Sequence, residues 1–177
     1  MVYNTGTNKG KKRNDTPTPI WLCDFIYNLI KDRNYKNILD CCSGDCRLTK
    51  NFSNSKIINY EIKEGKDFLL ETNKIDCDLC IFNPPFSLDN GKKELAAETF
   101  LDKVIELCGN KIEIIMICPM GFRLNQTIRS KRLNKMKNIY PEISSIISLP
   151  VDTFENTNFH TEILCYNTPY LKAHYFV

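Results

Sequence analysis

The run Cys77-Asp78-Leu79-Cys80-Ile81-Phe82 ends abruptly in Asn83-Pro84-Pro85-Phe86, and this junction constrains the fold more than any other stretch. Two successive prolines have no N–H to give to a sheet ladder, so a strand must stop there. They also stiffen the turn. The Asn83 carboxamide and the Phe86 ring are then held at the C-terminal lip of that strand. An amide oxygen and the Pro84 carbonyl can accept two hydrogen bonds from an NH2 group, while a flat ring stacks on a heterocycle. The bland alternative is a turn that only ends a strand.

The rest of the chain alternates strands with helices. Thr16-Pro17-Thr18-Pro19 predicts an N-cap and a first-turn proline for a helix over residues 20–31. Its apolar residues Leu22, Phe25, Ile26, Leu29 and Ile30 recur at helical spacing. Strands are predicted over 37–41, 57–62, 66–69, 77–82, 112–118, 143–149 and 161–167, with helices over 47–52, 95–108 and 125–137. This order gives a doubly wound, seven-stranded, mostly parallel α/β sheet of Rossmann type. The last two strands have no helix between them and form a hairpin, so the last strand is antiparallel. Residues 16–177 read as one domain after a disordered basic tail over 1–15.

No apolar stretch reaches the roughly 20 residues that span a bilayer. The first residues are polar and basic, without the apolar centre of a signal peptide. Nine cysteines, an odd number, fall mostly inside predicted elements, which suits a reducing, intracellular setting. Cys77-x-x-Cys80 is expected to lie in a strand with its thiols on opposite faces, and only His160 and His174 are available besides, so no metal is expected. Net charge is +3, but residues 1–13 and 114–141 together carry ten bases and no acid. Clustered base on an acidic remainder points to a polyanion such as nucleic acid, against the alternative of a solvated helix face.

In doubly wound sheets, ligands sit beyond the C-terminal ends of the strands. Asp40-Cys41-Cys42-Ser43-Gly44 is a strand ending in an acid, followed by a glycine turn, and Gly44 permits close backbone approach to a ligand. The loop has neither the glycines nor the Lys of a phosphate cradle, which favours a nucleoside without phosphate. Glu61, 21 residues after Asp40, stands where ribose hydroxyls are held. Asp67 can accept from an amino group beside Phe68. Each pattern alone has an ordinary reading as a turn, an edge strand or a surface acid.

Taken together, these motifs resemble the S-adenosylmethionine-dependent N6-adenine methyltransferases. That family's (Asp/Asn/Ser)-Pro-Pro-(Tyr/Phe) motif is matched by Asn83, Pro84, Pro85 and Phe86. The resemblance implies S-adenosylmethionine as cofactor, held by Thr16, Thr18, Asp40, Cys41, Gly44, Glu61, Asp67, Phe68 and Asn83. It implies a target base packed between Phe86 and Phe154 or Phe159. The basic segment (Arg123, Arg129, Lys131 and Arg132) would then meet phosphates, in DNA rather than RNA. The family's second loop glycine is Cys46 here, which costs backbone freedom where the loop must hug a ligand. The family's target-recognition domain has no counterpart, so a partner subunit is expected to supply site recognition. The rival readings are methylation of a protein glutamine amide, where a similar Asn-Pro-Pro motif serves, and a catalytically silent binding module.

Deleting residues 1–13 is expected to weaken nucleic-acid affinity and to flatten its dependence on salt, as lost phosphate contacts release fewer counterions. Binding titrations at several ionic strengths check this; an unchanged slope removes the tail from the interface.

Overall fold

Apolar side chains fill both parities of residues 79–82 and 114–118, so neither face of these two strands tolerates water. The computed structural model describes residues 2–4, 16–89, 95–155, 157 and 159–177. In chain order its elements are β1 (Val2–Asn4), α1 (Ile20–Ile30), β2 (Asn37–Asp40), β3 (Lys56–Asn59), β4 (Leu79–Phe82), β5 (Ser87–Asp89), α2 (Ala96–Cys108), β6 (Glu113–Pro119), α3 (Gly121–Leu124), α4 (Lys131–Asn138), β7 (Ile143–Ser148), β8 (Thr161–Tyr166) and β9 (His174–Phe176).

Seven strands form one sheet in the order β3-β2-β4-β6-β8-β7-β9. β2 pairs in parallel with β3 and β4, and β4 with β6. β8 runs antiparallel to both of its neighbours, β6 and β7. Side chains alternate between two halves of the core. Ile38, Leu79, Ile81, Ile115, Ile117 and Ile163 pack with Leu22, Ile26 and Ile30 of α1. Leu39, Cys80, Phe82, Ile114, Met116 and Leu164 pack with Phe100, Leu101 and Val104 of α2. The doubly wound arrangement is therefore observed. The chain leaves β2 for β3 on one side and returns to β4 on the other, which opens a switch point between the C-terminal ends of β2 and β4.

Several local expectations are corrected. The predicted strand over 66–69 is instead a single 3-10 turn, Phe68–Leu70, because the Asp67 carboxylate accepts the Leu69 amide at 3.0 Å and caps it. The helix expected over 47–52 is a pair of linked turns, Thr49 N–H to Cys46 carbonyl and Phe52 N–H to Thr49 carbonyl. The basic helix expected over 125–137 begins only at Lys131, as α4; residues 125–130 are a loop, and a short helix not foreseen, α3, precedes it. α1 begins after Pro19 with no side-chain cap, since the Thr18 hydroxyl is engaged elsewhere.

The seventh strand comes from β9, which pairs in parallel with β7 and was not foreseen. It is delivered by a cluster at the opposite end of the sheet. There the Tyr35 and Tyr170 hydroxyls both reach Glu113 Oε2, at 2.5 and 2.6 Å, and Arg33 lies 4.5 Å over the Tyr170 ring. Of the tail expected to be disordered, Val2–Asn4 pairs antiparallel with Ser87–Asp89 just past the proline motif; the remainder of 1–15 lies outside the described residues. No described helix is long and apolar enough to cross a membrane.

Candidate active site

A cavity of about 420 Å³ opens at the switch point. That size suits a nucleoside-sized molecule. The segments 16–18, 41–48, 60–68 and 83–86 wall it, with Phe100 behind. The structure therefore brings Thr16, Thr18, Cys41, Gly44, Glu61, Asp67, Phe68, Asn83, Pro84, Pro85 and Phe86 to one place.

The loop after β2 is strapped to the end of β3 by one carboxylate. Glu61 Oε2 accepts the Gly44 amide at 2.8 Å, and its Oε1 accepts the Lys63 amide at 3.0 Å. Each carboxylate oxygen keeps a further lone pair, as a diol would need. Gly44 has φ +51°, and a Cβ there would meet nothing within 4 Å, so backbone freedom rather than space calls for glycine. Cys46 has φ +60°. The chain thus adopts the left-handed turn without the glycine, at a cost of about 1 kcal/mol. The Cys46 side chain does not enter the cavity. It lines a separate groove behind the loop, where its sulfur accepts from Asn59 Nδ2 at 3.6 Å.

Asp40 is fully buried at the end of β2. Its Oδ1 accepts the Cys42 amide at 3.3 Å, while Oδ2 has no partner. Burial pushes its carboxyl up to about 7; the Cys42 amide opposes that rise and the Glu61 charge adds to it. Asp40 stands behind the loop and orders it rather than lining the cavity itself.

The Asn83 carboxamide is clamped. Its Nδ2 donates to the Thr16 carbonyl at 3.2 Å and to the Thr18 hydroxyl at 3.1 Å. A carbonyl only accepts, so the NH2 must face the Thr16 side and the oxygen must face away from it. Asn83 Oδ1 is buried and has no partner. The Thr16–Thr18 segment is itself held from the loop, because Arg47 Nη1 donates to the Thr18 carbonyl at 3.1 Å and Arg47 pairs with Asp45. Thr16 and Thr18 therefore act on Asn83, where an N-cap had been expected.

The aromatic sandwich expected of Phe86 and Phe154 is not formed. Phe154 is 2% exposed and meets Phe86 edge-to-face, with centroids 5.9 Å apart. Phe159 also meets Phe86 edge-on, at 4.8 Å. Edge-on rings in contact leave no slot for a base between them. Phe86 lines the cavity, whereas Phe154 and Phe159 support Phe86 from behind.

Two of the four cations expected to meet phosphates are consumed internally. Arg123 makes a two-point pair with the fully buried Glu162, at 3.2 and 2.9 Å. Arg132 pairs with Glu98 at 2.6 Å and lies over the Phe122 ring. Lys135, in the same basic run, binds Glu98 and Asp102. Arg129 and Lys131 are exposed and stand apart from the cavity walls.

The Cys77-x-x-Cys80 reading is also corrected. Cys77 precedes β4, and both thiols sit in the same half of the core, with Cys77 against Cys108. Among the described residues no group of three or more His, Cys, Asp or Glu could hold a metal.

Sequence reasoning missed Ile62, Tyr60 and Arg47 in the cavity wall. An apolar residue directly after Glu61 was the available signal for Ile62. Tyr60 is fixed edge-on to Phe68 at 5.2 Å, and its hydroxyl donates to Glu71 at 2.9 Å. Neither contact has a signature in the sequence.

No protein-family model and no curated protein matches this chain. Solved structures do resemble it. One is a candidate class I S-adenosylmethionine-dependent methyltransferase from Listeria monocytogenes, with TM-score 0.61 and 15% identity over 89% of this chain and 62% of that one. Another is the type I restriction enzyme EcoKI M protein, with TM-score 0.64 and 14% identity over 85% of this chain and 43% of that one. A third is a candidate RNA methyltransferase from Pyrococcus horikoshii, with TM-score 0.54 and 14% identity over 86% of this chain and 85% of that one. The chain thus has the fold of these proteins, and it spans less than two thirds of the first two.

Two outcomes are expected from the loop. Asp40 binds its proton more tightly folded than unfolded, so between about pH 4 and pH 7 the folded state holds the extra proton. Its contribution to stability therefore falls as pH rises through that window and is level above it. Urea unfolding across pH should lose this decline in Asp40→Asn; a decline that persists assigns it to other groups. Cys46→Gly should stabilise the fold by up to about 1 kcal/mol by relieving the left-handed backbone, partly offset by the freedom glycine adds to the unfolded chain. A lower midpoint in the same assay would mean that the Asn59 contact outweighs the strain.

Proposed function

We propose that this chain transfers a methyl group from S-adenosylmethionine to the exocyclic N6 of adenine in nucleic acid, DNA in preference to RNA. The observation that carries this reading is the Asn83 carboxamide, whose NH2 is clamped by Thr16 and Thr18 while its buried oxygen lacks a partner. An unsatisfied buried acceptor favours a ligand that brings a donor. Adenine brings an NH2 and a flat heterocycle, and Phe86 lies three residues on at the same lip.

The cavity residues fit the cofactor by their chemistry. When bound, S-adenosylmethionine supplies an electrophilic methyl on a sulfonium. Glu61 has lone pairs to accept from a ribose diol, and Ile62 and Phe68 offer apolar surface to a purine. Gly44 lets the backbone approach closely. Asp67, the cap of its turn, lines the same wall and can accept from an amino group.

The amine poses the difficulty. The N6 lone pair is delocalised into the purine ring, so the nitrogen is a poor nucleophile. Asn83 Oδ1 and the Pro84 carbonyl would accept hydrogen bonds from its two N–H groups, draw the nitrogen toward tetrahedral geometry and stabilise the positive charge that develops as the methyl passes from sulfur to nitrogen; a neutral thioether is left behind and the methylated amine then loses one proton to solvent. The clamp holds that acceptor in place before the substrate arrives, which is positioning and electrostatic preorganisation. A base in a duplex must first leave the stack, at a few kcal/mol.

The fold likeness to a restriction-enzyme M protein supports DNA, and the likeness to an RNA methyltransferase keeps RNA as an arm of the test. A glutamine amide is the second substrate to test. Internal pairing of Arg123, Arg132 and Lys135 removes half of the cationic argument of the 114–141 run, and an amide nitrogen has the same delocalised lone pair.

Incubation with methyl-labelled cofactor and DNA, RNA or protein extract should label DNA. Labelled protein alone would transfer the reading to glutamine, and no cofactor binding by calorimetry would leave a silent module. Asn83→Ala should lower turnover by about 100-fold or more while cofactor affinity stays within a few fold. Equal loss of both would contradict the role assigned to Asn83.

A further inference from the structure

Ile128 is 96% exposed, the extreme among the large apolar side chains of the described residues, and Leu124 beside it is 54% exposed. The loop that carries Ile128 between α3 and α4 is sewn down rather than loose. Gln126 Nε2 donates to the Phe122 carbonyl at 2.6 Å, its Oε1 accepts the Ser130 hydroxyl at 2.5 Å, and the Ser130 amide closes a turn on the Thr127 carbonyl at 2.9 Å. Ser130 then caps α4 through the Leu133 amide. A fixed backbone thus holds an apolar tip in water, where it gains nothing from the protein's own core.

The place of this loop in the fold is informative. β4 and β6 are parallel, with Phe82 paired to Met116, so β6 ends on the rim where Asn83 stands, and the loop rises from that rim. Its charges differ from those of Arg123, Arg132 and Lys135 in the same run. Arg123, Arg132 and Lys135 are spent on Glu162, Glu98 and Asp102. Arg129 and Lys131 are exposed and have no acidic partner among the described residues. A protruding aliphatic tip followed one and three residues on by exposed cations matches a stacked, phosphate-lined polymer: the tip enters between bases and the cations meet the backbone.

Resting on the nucleic-acid reading above, we propose that residues 124–131 form a duplex-binding wedge. Ile128 enters the base stack and holds open the gap left by the extruded adenine, and Arg129 and Lys131 bind the flanking phosphates. A duplex is the occupant favoured over a protein, because the exposed apolar surface here is small, Ile128 with Leu124 four residues before it, and is interspersed with polar Asn125 and Thr127 and followed by two cations without an acidic partner among the described residues.

The test uses the full chain and a fluorescent duplex oligonucleotide carrying 2-aminopurine next to an adenine. The wild type should bind with a rise in 2-aminopurine fluorescence. Ile128→Ser should bind about 10-fold more weakly and lose that rise, with the same salt slope, since no phosphate contact is removed. Arg129→Ser with Lys131→Ser should keep the fluorescence rise at saturation and flatten the slope by about 2. Equal affinity and fluorescence in Ile128→Ser overturns the wedge, and an unchanged slope in the double variant overturns the phosphate contacts. Ile128 is exposed, so an unchanged melting temperature is expected and checks the folding of each variant. Cofactor binding and methyl transfer to a single-stranded oligonucleotide, measured on the wild type, separate the two levels. If both occur while duplex binding ignores Ile128, the wedge alone fails; if the wild type methylates no nucleic acid, the functional reading fails with it.

Discussion

The parallel pairing of β2 with β3 on one side and β4 on the other is the constraint from which the site follows. Ile38 pairs with Leu79 and Leu39 with Cys80, so the ends of β2 and β4 reach the same rim. Asp40 pairs with Asn59, and the Tyr60 amide bonds the Asp40 carbonyl at 3.0 Å, which brings Glu61 within reach of Gly44. A slip of one residue in β4 would carry Asn83 about 3.3 Å along the strand and exchange Leu79 and Cys80 between the two halves of the core. The buried side chains on both faces oppose that slip. Core packing and site geometry are thus one restraint seen at two places.

The polar groups at this rim are incompletely satisfied. Asn83 Oδ1 and Asp40 Oδ2 are two of five buried side-chain atoms without partners among the described residues. Each such acceptor costs about 1–3 kcal/mol, and both lie along the wall or the backing of one cavity. Their neighbours do not relieve them, because the clamp on Asn83 uses its donors and the Cys42 amide reaches only the other Asp40 oxygen. Strain of this kind belongs at sites where a ligand completes the bonding. Of the two, only Asn83 lines the cavity, and its free atom is an acceptor, which suits a group that brings a donor.

The apolar periods of the chain carried the layout well. Residues 77–82 and 112–118 read as buried strands, and the alternation of elements gave the doubly wound sheet with its reversed strand. The site was legible wherever a motif is a contiguous string: Asn83 to Phe86, the Asp40–Gly44 turn, and Glu61. It was illegible where a side chain has two uses. Thr18 reads as a helix cap by position, but the hydroxyl goes to Asn83, 65 residues away. Cys46 looks like a lost glycine, yet the backbone takes the glycine's conformation and sends the side chain to the other side of the loop. Phe154 reads as a stacking residue because an aromatic before the final strand is visible in sequence, whereas its 2% exposure is not. β9 was missed because it depends on the tyrosine–Glu113 cluster, whose members are far apart in the chain.

Charge is where the linear reading misled most, and the reason is geometric. The 114–141 run contains no acid, so it reads as a free cationic surface. α2 supplies Glu98 and Asp102 one helical turn apart, and α4 lays Arg132 and Lys135 against them at matching spacing. These pairs join two helices and contribute little to long-range attraction, because each cation has an acid within 4 Å. The choice between a nucleic acid and a protein amide cannot rest on the proline lip either, since the lip meets an NH2 on a planar group in both cases. It rests on what surrounds the rim. There Arg129 on the loop and Lys131 at the start of α4 are exposed beside an outward-facing apolar tip, which on the proposed reading is where the two substrate classes would be told apart.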